Sequence, residues 1–143
     1  MMDIMEAARY LIYLSYHVNV KSLTPLKLQK VLYLAQGWSY VWDDCPLFPD
    51  EFEAWQYGPV NVEVYNYFRD YGREEIPECE GNDGELLDSD LRETLDFVWD
   101  KYCSYSAFEL VKLTHKQEPW INAYNNNETI KNSDIKRFFQ AMY

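Results

Sequence analysis

Apolar residues recur every three or four positions along most of this chain, which is the spacing of one face of an α-helix. Ile4, Ala8, Leu11, Leu14 and Val18 form the first stripe, and Asp3 stands where a helix N-cap belongs, so a helix is expected from there to about Val18. Thr24-Pro25 is a second start signal, with a threonine cap and proline at the first helical position. Leu28, Val31, Leu32, Ala35 and Trp38 follow at helical spacing, and the helix is expected to reach about Trp42 despite Gly37. Positions 26, 30, 33, 37 and 40 make a further stripe of Leu, Lys, Tyr, Gly and Tyr. Two readings fit it. The helix is buried on two sides, or it offers a partner a surface where Gly37 permits close approach.

The pattern then changes. Asp43-Asp44-Cys45-Pro46 reads as a turn. Two short aromatic runs, Pro46–Phe48 and Phe52–Trp55, flank Pro49-Asp50-Glu51 and predict a small antiparallel β-hairpin. Gly58-Pro59 is expected to launch a helix through Tyr71, with Val60, Val64, Phe68 and Tyr71 inward and Gly72 as terminator. Residues 73–88 form an acidic loop with a short extended piece around Ile76. Ser89 is the expected cap of a helix to Tyr102 that faces Leu91, Leu95, Val98 and Tyr102 inward. Ser106 and Glu109 have capping-box spacing and open a helix ending near Thr114-His115. Glu118-Pro119-Trp120 opens a short helix, Asn125–Asn127 is a turn, and Ser133 caps a last helix carrying Ile135, Phe138, Phe139 and Met142. The fold class expected is mainly α: one compact domain over residues 1–143, a bundle of about six helices with one small antiparallel β-hairpin. Trp38, Trp55 and Trp120, each beside a glycine or proline, are expected to be largely buried.

Composition narrows the function classes. With 143 residues the chain buries roughly two thirds of its unfolded surface, enough to fold without a disulfide or metal. The balance of 13 Lys+Arg against 24 Asp+Glu gives a net charge of −11. That charge repels phosphate backbones, so nucleic acid is not an expected partner, whereas a basic protein is easily accommodated. Glu74, Glu75, Glu78, Glu80, Asp83, Glu85, Asp88 and Asp90 follow one another with no Lys or Arg between them, most simply as a solvated loop. Thirteen Tyr and five Trp are unusual for so short a chain; most are expected to fill the core, and some of the excess is available to face a partner. Cys45, Cys79 and Cys103 are odd in number, lack metal-ligand spacing and suit a reducing cytoplasm. The N-terminus lacks a leader pattern and there is no membrane-length apolar run, so a cytoplasmic location is expected.

Candidate chemistry is sparse. The two histidines, His17 and His115, have no metal-ligand spacing. His17 reads as a surface imidazole at a helix C-terminus. His115 fits a general base oriented by Glu118, or, the favoured role, a ring that bonds a nearby carbonyl and fixes a corner. No glycine-rich phosphate loop or nucleophile arrangement exists. Glu53 and Glu63 flank the Trp55-Gly58-Pro59 corner, and with His115 they define a small-enzyme alternative. No catalytic, cofactor-binding or metal residues are assigned.

Two stretches stand out: Leu23-Thr-Pro-Leu-Lys-Leu-Gln-Lys-Val-Leu-Tyr-Leu-Ala-Gln-Gly-Trp38, and Phe52-Glu-Ala-Trp-Gln-Tyr-Gly-Pro-Val60 with Glu63-Val-Tyr65. Ser106-Ala, Leu110, Leu113-Thr-His115, Pro119-Trp120 and a closing Ile135 and Phe138-Phe139 follow in order. In that combination, from Leu23 to about Phe139, the chain resembles the Panacea domain, also described as SocA-like or phage-associated-protein-like. The resemblance implies a mostly helical domain without a cofactor. It also implies a bacterial or phage antitoxin that neutralises a cognate protein toxin by direct binding. It supplies no catalytic residues, and it matches the stand-alone form rather than one with an appended DNA-binding helix-turn-helix. Delivery of the partner to a protease is an alternative to simple occlusion. Docking is expected around the second helix and the Gly-Pro corner, through Lys27, Lys30, Tyr33, Tyr57 and Glu63, with the acidic loop as rival site.

Overall fold

The computed structural model describes residues 1–78, 83–85 and 87–143. Cys79 and Glu80 of the acidic stretch therefore lie outside the described residues. Among the described residues there are seven α-helices: α1 (Ile4–His17), α2 (Pro25–Asp43), α3 (Val62–Phe68), α4 (Ser89–Tyr102), α5 (Ala107–His115), α6 (Glu118–Asn126) and α7 (Asn132–Met142). Three short strands, β1 (Phe52–Trp55), β2 (Gly58–Val60) and β3 (Thr129–Ile130), form an antiparallel sheet in the order β2-β1-β3. The molecule is mainly α with one small sheet.

α2 is the axis of the fold. It packs against α1, α3, α4, α5, α7 and β2, and every residue from Lys27 to Tyr40 is buried. Of the two readings of its second stripe, burial on two sides is the one realised. Gly37 is the point of closest approach to α7. A Cβ there would stand 2.5 Å from the ring of Phe139, which is itself fully buried.

Helix starts follow local chemistry. Asp3 and Glu6 make a reciprocal capping box, as do Ser106 and Glu109. Thr24 caps α2, with Pro25 in its first turn. Two expected starts are displaced. Asp88, not Ser89, caps α4, its carboxylate accepting from the Asp90 amide at 3.0 Å. α7 begins at Asn132 after Lys131, so Ser133 lies inside the helix and makes no cap. At the ends of the stripes, Val18, Tyr71 and Met142 are exposed, because the helices fray or stop before those positions turn inward.

The sheet corrects two expectations. Pro46–Phe48 is not a strand. Its backbone is taken by Gln36 on α2, whose side chain accepts from the Leu47 and Phe48 amides at 2.8 and 3.3 Å and donates to the Phe48 carbonyl at 2.9 Å. β1 instead pairs with β2 across the two-residue turn Gln56-Tyr57, in the register Trp55↔Gly58, Ala54↔Pro59, Glu53↔Val60. Gly58-Pro59 therefore belongs to a strand, and α3 starts later, where the Asn61 side chain accepts from the Val64 amide at 3.0 Å. The physical cause is Gly58, whose φ of +104° reverses the chain but does not nucleate a helix.

Gly37→Ala is expected to destabilise the fold by about 1–3 kcal/mol, because neither the helix backbone nor a buried Phe139 ring can yield cheaply. Chemical denaturation measures it. An unchanged midpoint would show that α7 does not rest on α2 as described.

Candidate partner-binding surface

The polar residues of α2 account for the corner beside it. In a buried helix, side-chain donors must find acceptors inside the protein. Here they reach backbone carbonyls of loops, of a helix end and of the edge strand β2. Lys27 Nζ donates to the Cys103 carbonyl at 2.6 Å and lies 5.2 Å from the Trp99 ring. Gln29 donates to the Asn61 carbonyl at 3.0 Å and accepts from the Asn61 amide at 2.8 Å. Lys30 Nζ donates to the Pro59 carbonyl at 2.9 Å, and Ser39 donates to the Cys45 carbonyl at 2.7 Å. Each bond pins such a segment against the helix.

Lys30 is the most demanding of these groups. It is 0% exposed and is hydrogen-bonded to one carbonyl. Burial pulls its pKa down from 10.5 to about 7. Burial also lowers that of Lys27. A side chain at position 58 would meet Lys30 Cε at 2.7 Å and Thr114 Oγ1 at 2.8 Å. Glycine, positive φ and buried lysine are thus one arrangement: the absent Cβ leaves the room that Lys30 needs to reach Pro59.

Over this support stands an array of aromatic rings. His115, at the end of α5, donates from Nε2 to the Gln56 carbonyl at 2.9 Å, which ties that helix to the hairpin turn. A carbonyl can only accept, so the proton is on Nε2. The same ring stacks on Trp120 at 4.2 Å, and Trp120 stacks on Tyr124 at 4.6 Å. Trp120 Nε1 donates to the Trp55 carbonyl at 2.8 Å, and Trp55 meets Tyr65 edge-on at 4.8 Å. Trp38 is buried as expected, while Trp55 and Trp120 each keep part of their surface in solvent. Between this hairpin, the first turns of α2 and the length of α3 lies an apolar groove of about 420 Å³. Leu26, Gln29, Trp55, Gln56, Tyr57, Val60, Val64, Tyr65, Phe68 and Arg69 are among the residues that line it.

The five residues expected to dock a partner are placed unequally. Tyr57 is 52% exposed at the hairpin turn, and Glu63 is exposed in the first turn of α3. Lys27, Lys30 and Tyr33 are buried. Tyr33 lies edge-on to Phe52 and Phe139, both at 5.8 Å, and its hydroxyl finds no partner among the described residues. Lys30 lies beneath the hairpin, Lys27 lies against Cys103 and Trp99 on the α4 side, and Tyr33 lies in the core, so none of the three is at the surface of the free chain. Their order in sequence gave no sign of this, since Lys and Tyr are usually at least part-exposed. Val64, Phe68 and Arg69, which the reading of candidate sites passed over, follow from the helical spacing of α3 once its true start is known. Glu53 accepts from Trp55 Nε1 at 3.2 Å. His17 pairs with Glu78, and Tyr13 stacks on its ring at 4.6 Å. Among the described residues there is no cluster of His, Cys, Asp or Glu suited to a metal ion, and no helix is long and apolar enough to cross a membrane.

Two outcomes test this arrangement. Between about pH 7 and 10.5 the unfolded chain carries a proton on Lys30 that the folded chain lacks, so stability rises with pH in that window. The phenols of Tyr10, Tyr33 and Tyr102, held up by burial, act oppositely only above pH 10. Lys30→Met should therefore lower the slope of unfolding free energy against pH by about 1.4 kcal/mol per unit between about pH 7.5 and 9. Equal slopes would show that Lys30 is charged in the fold. Tyr33→Phe should leave stability unchanged or raise it, because it removes an unpaired buried hydroxyl, whereas Tyr33→Ala should cost about 3–5 kcal/mol. A loss above about 1 kcal/mol for the phenylalanine variant would mean that the hydroxyl is bonded.

Comparison with known proteins adds one positive finding. The family model described as antitoxin SocA-like, Panacea domain, matches residues 28–121, about two thirds of the chain. That span runs from the body of α2 through the corner to Trp120. No curated protein and no solved structure matches.

Proposed function

We propose that this chain, which belongs to the SocA-like Panacea family, is an antitoxin that neutralises a cognate protein toxin by direct protein–protein binding at the Gly58-Pro59 corner. The observation that carries the reading is the pairing of exposed aromatic rings with a rigid base. Tyr57 and Tyr65 are 52% and 40% exposed, yet the turn and strand beneath them are fastened by Lys30, Gln29, His115 and Trp120. Rigid amphipathic rings lose little entropy on binding, which is the character of an interface anchor. The acidity of the chain favours a basic toxin and steers its approach. The groups that would serve a small enzyme here are engaged elsewhere: His115 Nε2 holds the hairpin and Glu53 holds the Trp55 indole. Lys27, Lys30 and Tyr33 contribute as the support, Tyr57 and Glu63 as the contact.

Expression of the neighbouring reading frame alone should arrest growth, and co-expression with this chain should restore it. A harmless neighbour removes the basis of the reading. Within a neutralising pair, Tyr57→Ala should raise the dissociation rate more than about tenfold, or about 1.4 kcal/mol. Replacing Glu74, Glu75, Asp83 and Glu85 by amides should change only the association rate, and modestly. If the loop variant abolishes binding while Tyr57→Ala binds normally, the toxin docks on the loop.

A further inference from the structure

The groove beside α3 restricts what can occupy it. Its walls are mostly apolar, and the amide of Gln29 is held on the Asn61 backbone through both its nitrogen and its oxygen, so little remains to orient a small polar molecule. An added β-strand needs a free sheet edge. β1 is paired on both sides, and at the centre of β2 stands Pro59, which has no N–H and whose carbonyl is taken by Lys30. A helix satisfies its own backbone and needs only an apolar bed. The rim adds polarity. Glu53 sits on the indole of Trp55, itself a lining residue, and Arg69, just beyond the end of α3, lines the groove. Glu63, in the first turn of α3, lies on the helix face opposite Tyr65 and Phe68. Among the described residues neither Glu53 nor Arg69 is ion-paired.

We infer that this groove holds one amphipathic helix of the partner, its apolar face against Trp55, Tyr57, Tyr65 and Phe68 and a lysine or arginine against Glu53. The inference rests on the antitoxin reading for its premise that the occupant is a protein. A helix of about four turns supplies two or three apolar anchors along one side, which suits a bed of this size.

The test is a selection from two phage-displayed libraries, one of helix-forming peptides of about 15 residues and one of alternating, strand-forming peptides of the same length. The baits are the full chain, Leu26→Trp, which fills the groove from its rim, and Glu53→Lys. The expected result is enrichment from the helical library of apolar residues three and four apart beside Lys or Arg. Synthetic copies of the enriched peptides should bind Leu26→Trp at least about tenfold more weakly. Glu53→Lys should shift the flanking preference to Asp or Glu. Tyr57→Glu, at an exposed turn, serves as second groove variant should the tryptophan disturb folding. Enrichment from the strand library, binding indifferent to both groove variants, a basic preference that survives charge reversal, or no enrichment would each overturn the inference. Growth rescue is scored separately. Groove-binding helices without rescue leave the groove standing and remove the antitoxin role, and rescue undiminished by Leu26→Trp does the reverse.

Discussion

Everything near the functional corner depends on one constraint: a helix buried on all sides that nonetheless carries polar side chains. Between Lys27 and Ser39, α2 sends five polar groups into the interior. Leaving such a group without a partner costs about 1–3 kcal/mol, and more when it is charged. The helix's own carbonyls are occupied, so the partners come from backbone outside it: the loop from Cys45 to Phe48, the edge strand β2 at Pro59, Asn61 beyond it, and Cys103 at the end of α4. The requirement is reciprocal. The loops need donors as much as the helix needs acceptors, and each bond solves both problems.

This accounts for the uneven legibility of the sequence. Where a local signal decides the structure, as at Asp3, Thr24 and the Ser106–Glu109 box, the expected element is present. Where a long-range bond decides it, the reading fails. Pro46–Phe48 has a strand's composition, but Gln36 captures its amides before a neighbour can. Gly58-Pro59 carries a helix-start pattern, but Lys30 needs the Pro59 carbonyl and Gly58 reverses the chain first. The block from Leu23 to Trp38 stands out in sequence because polar types recur inside an apolar helical run, and in the fold Lys27, Gln29, Lys30 and Gln36 are all buried. What those types do was not legible, because lysine and tyrosine suggest a surface and here serve the interior. Tyr57 and Glu63 were legible as surface positions; the groove between them depended on α3 starting at Val62 and was not.

Lys30 shows why a costly residue can be suited to its place. Methionine would fill the same space without a desolvation penalty, and buried charges exchanged for apolar groups often leave proteins more stable. What methionine cannot do is bond the Pro59 carbonyl. That carbonyl accepts from Lys30 on α2, and an unbonded acceptor there would favour conformations in which the hairpin lifts toward water. A lysine with a depressed pKa keeps a donor in both charge states, since the neutral amine still carries two N–H bonds. The position of the turn is thereby specified even where stability is not improved.

That specification bears on binding. Tyr57 sits on a two-residue turn, a location that would ordinarily be mobile and would pay for its own ordering on association. Here the turn is held from three directions: Lys30 below, His115 at the Gln56 carbonyl, and Trp120 at the Trp55 carbonyl. In the proposed complex, discrimination would rest on the few exposed positions around the groove, and partner choice could change without rebuilding the core. Charge spread over the surface would govern the rate of approach, and the apolar walls of the groove how long a partner stays.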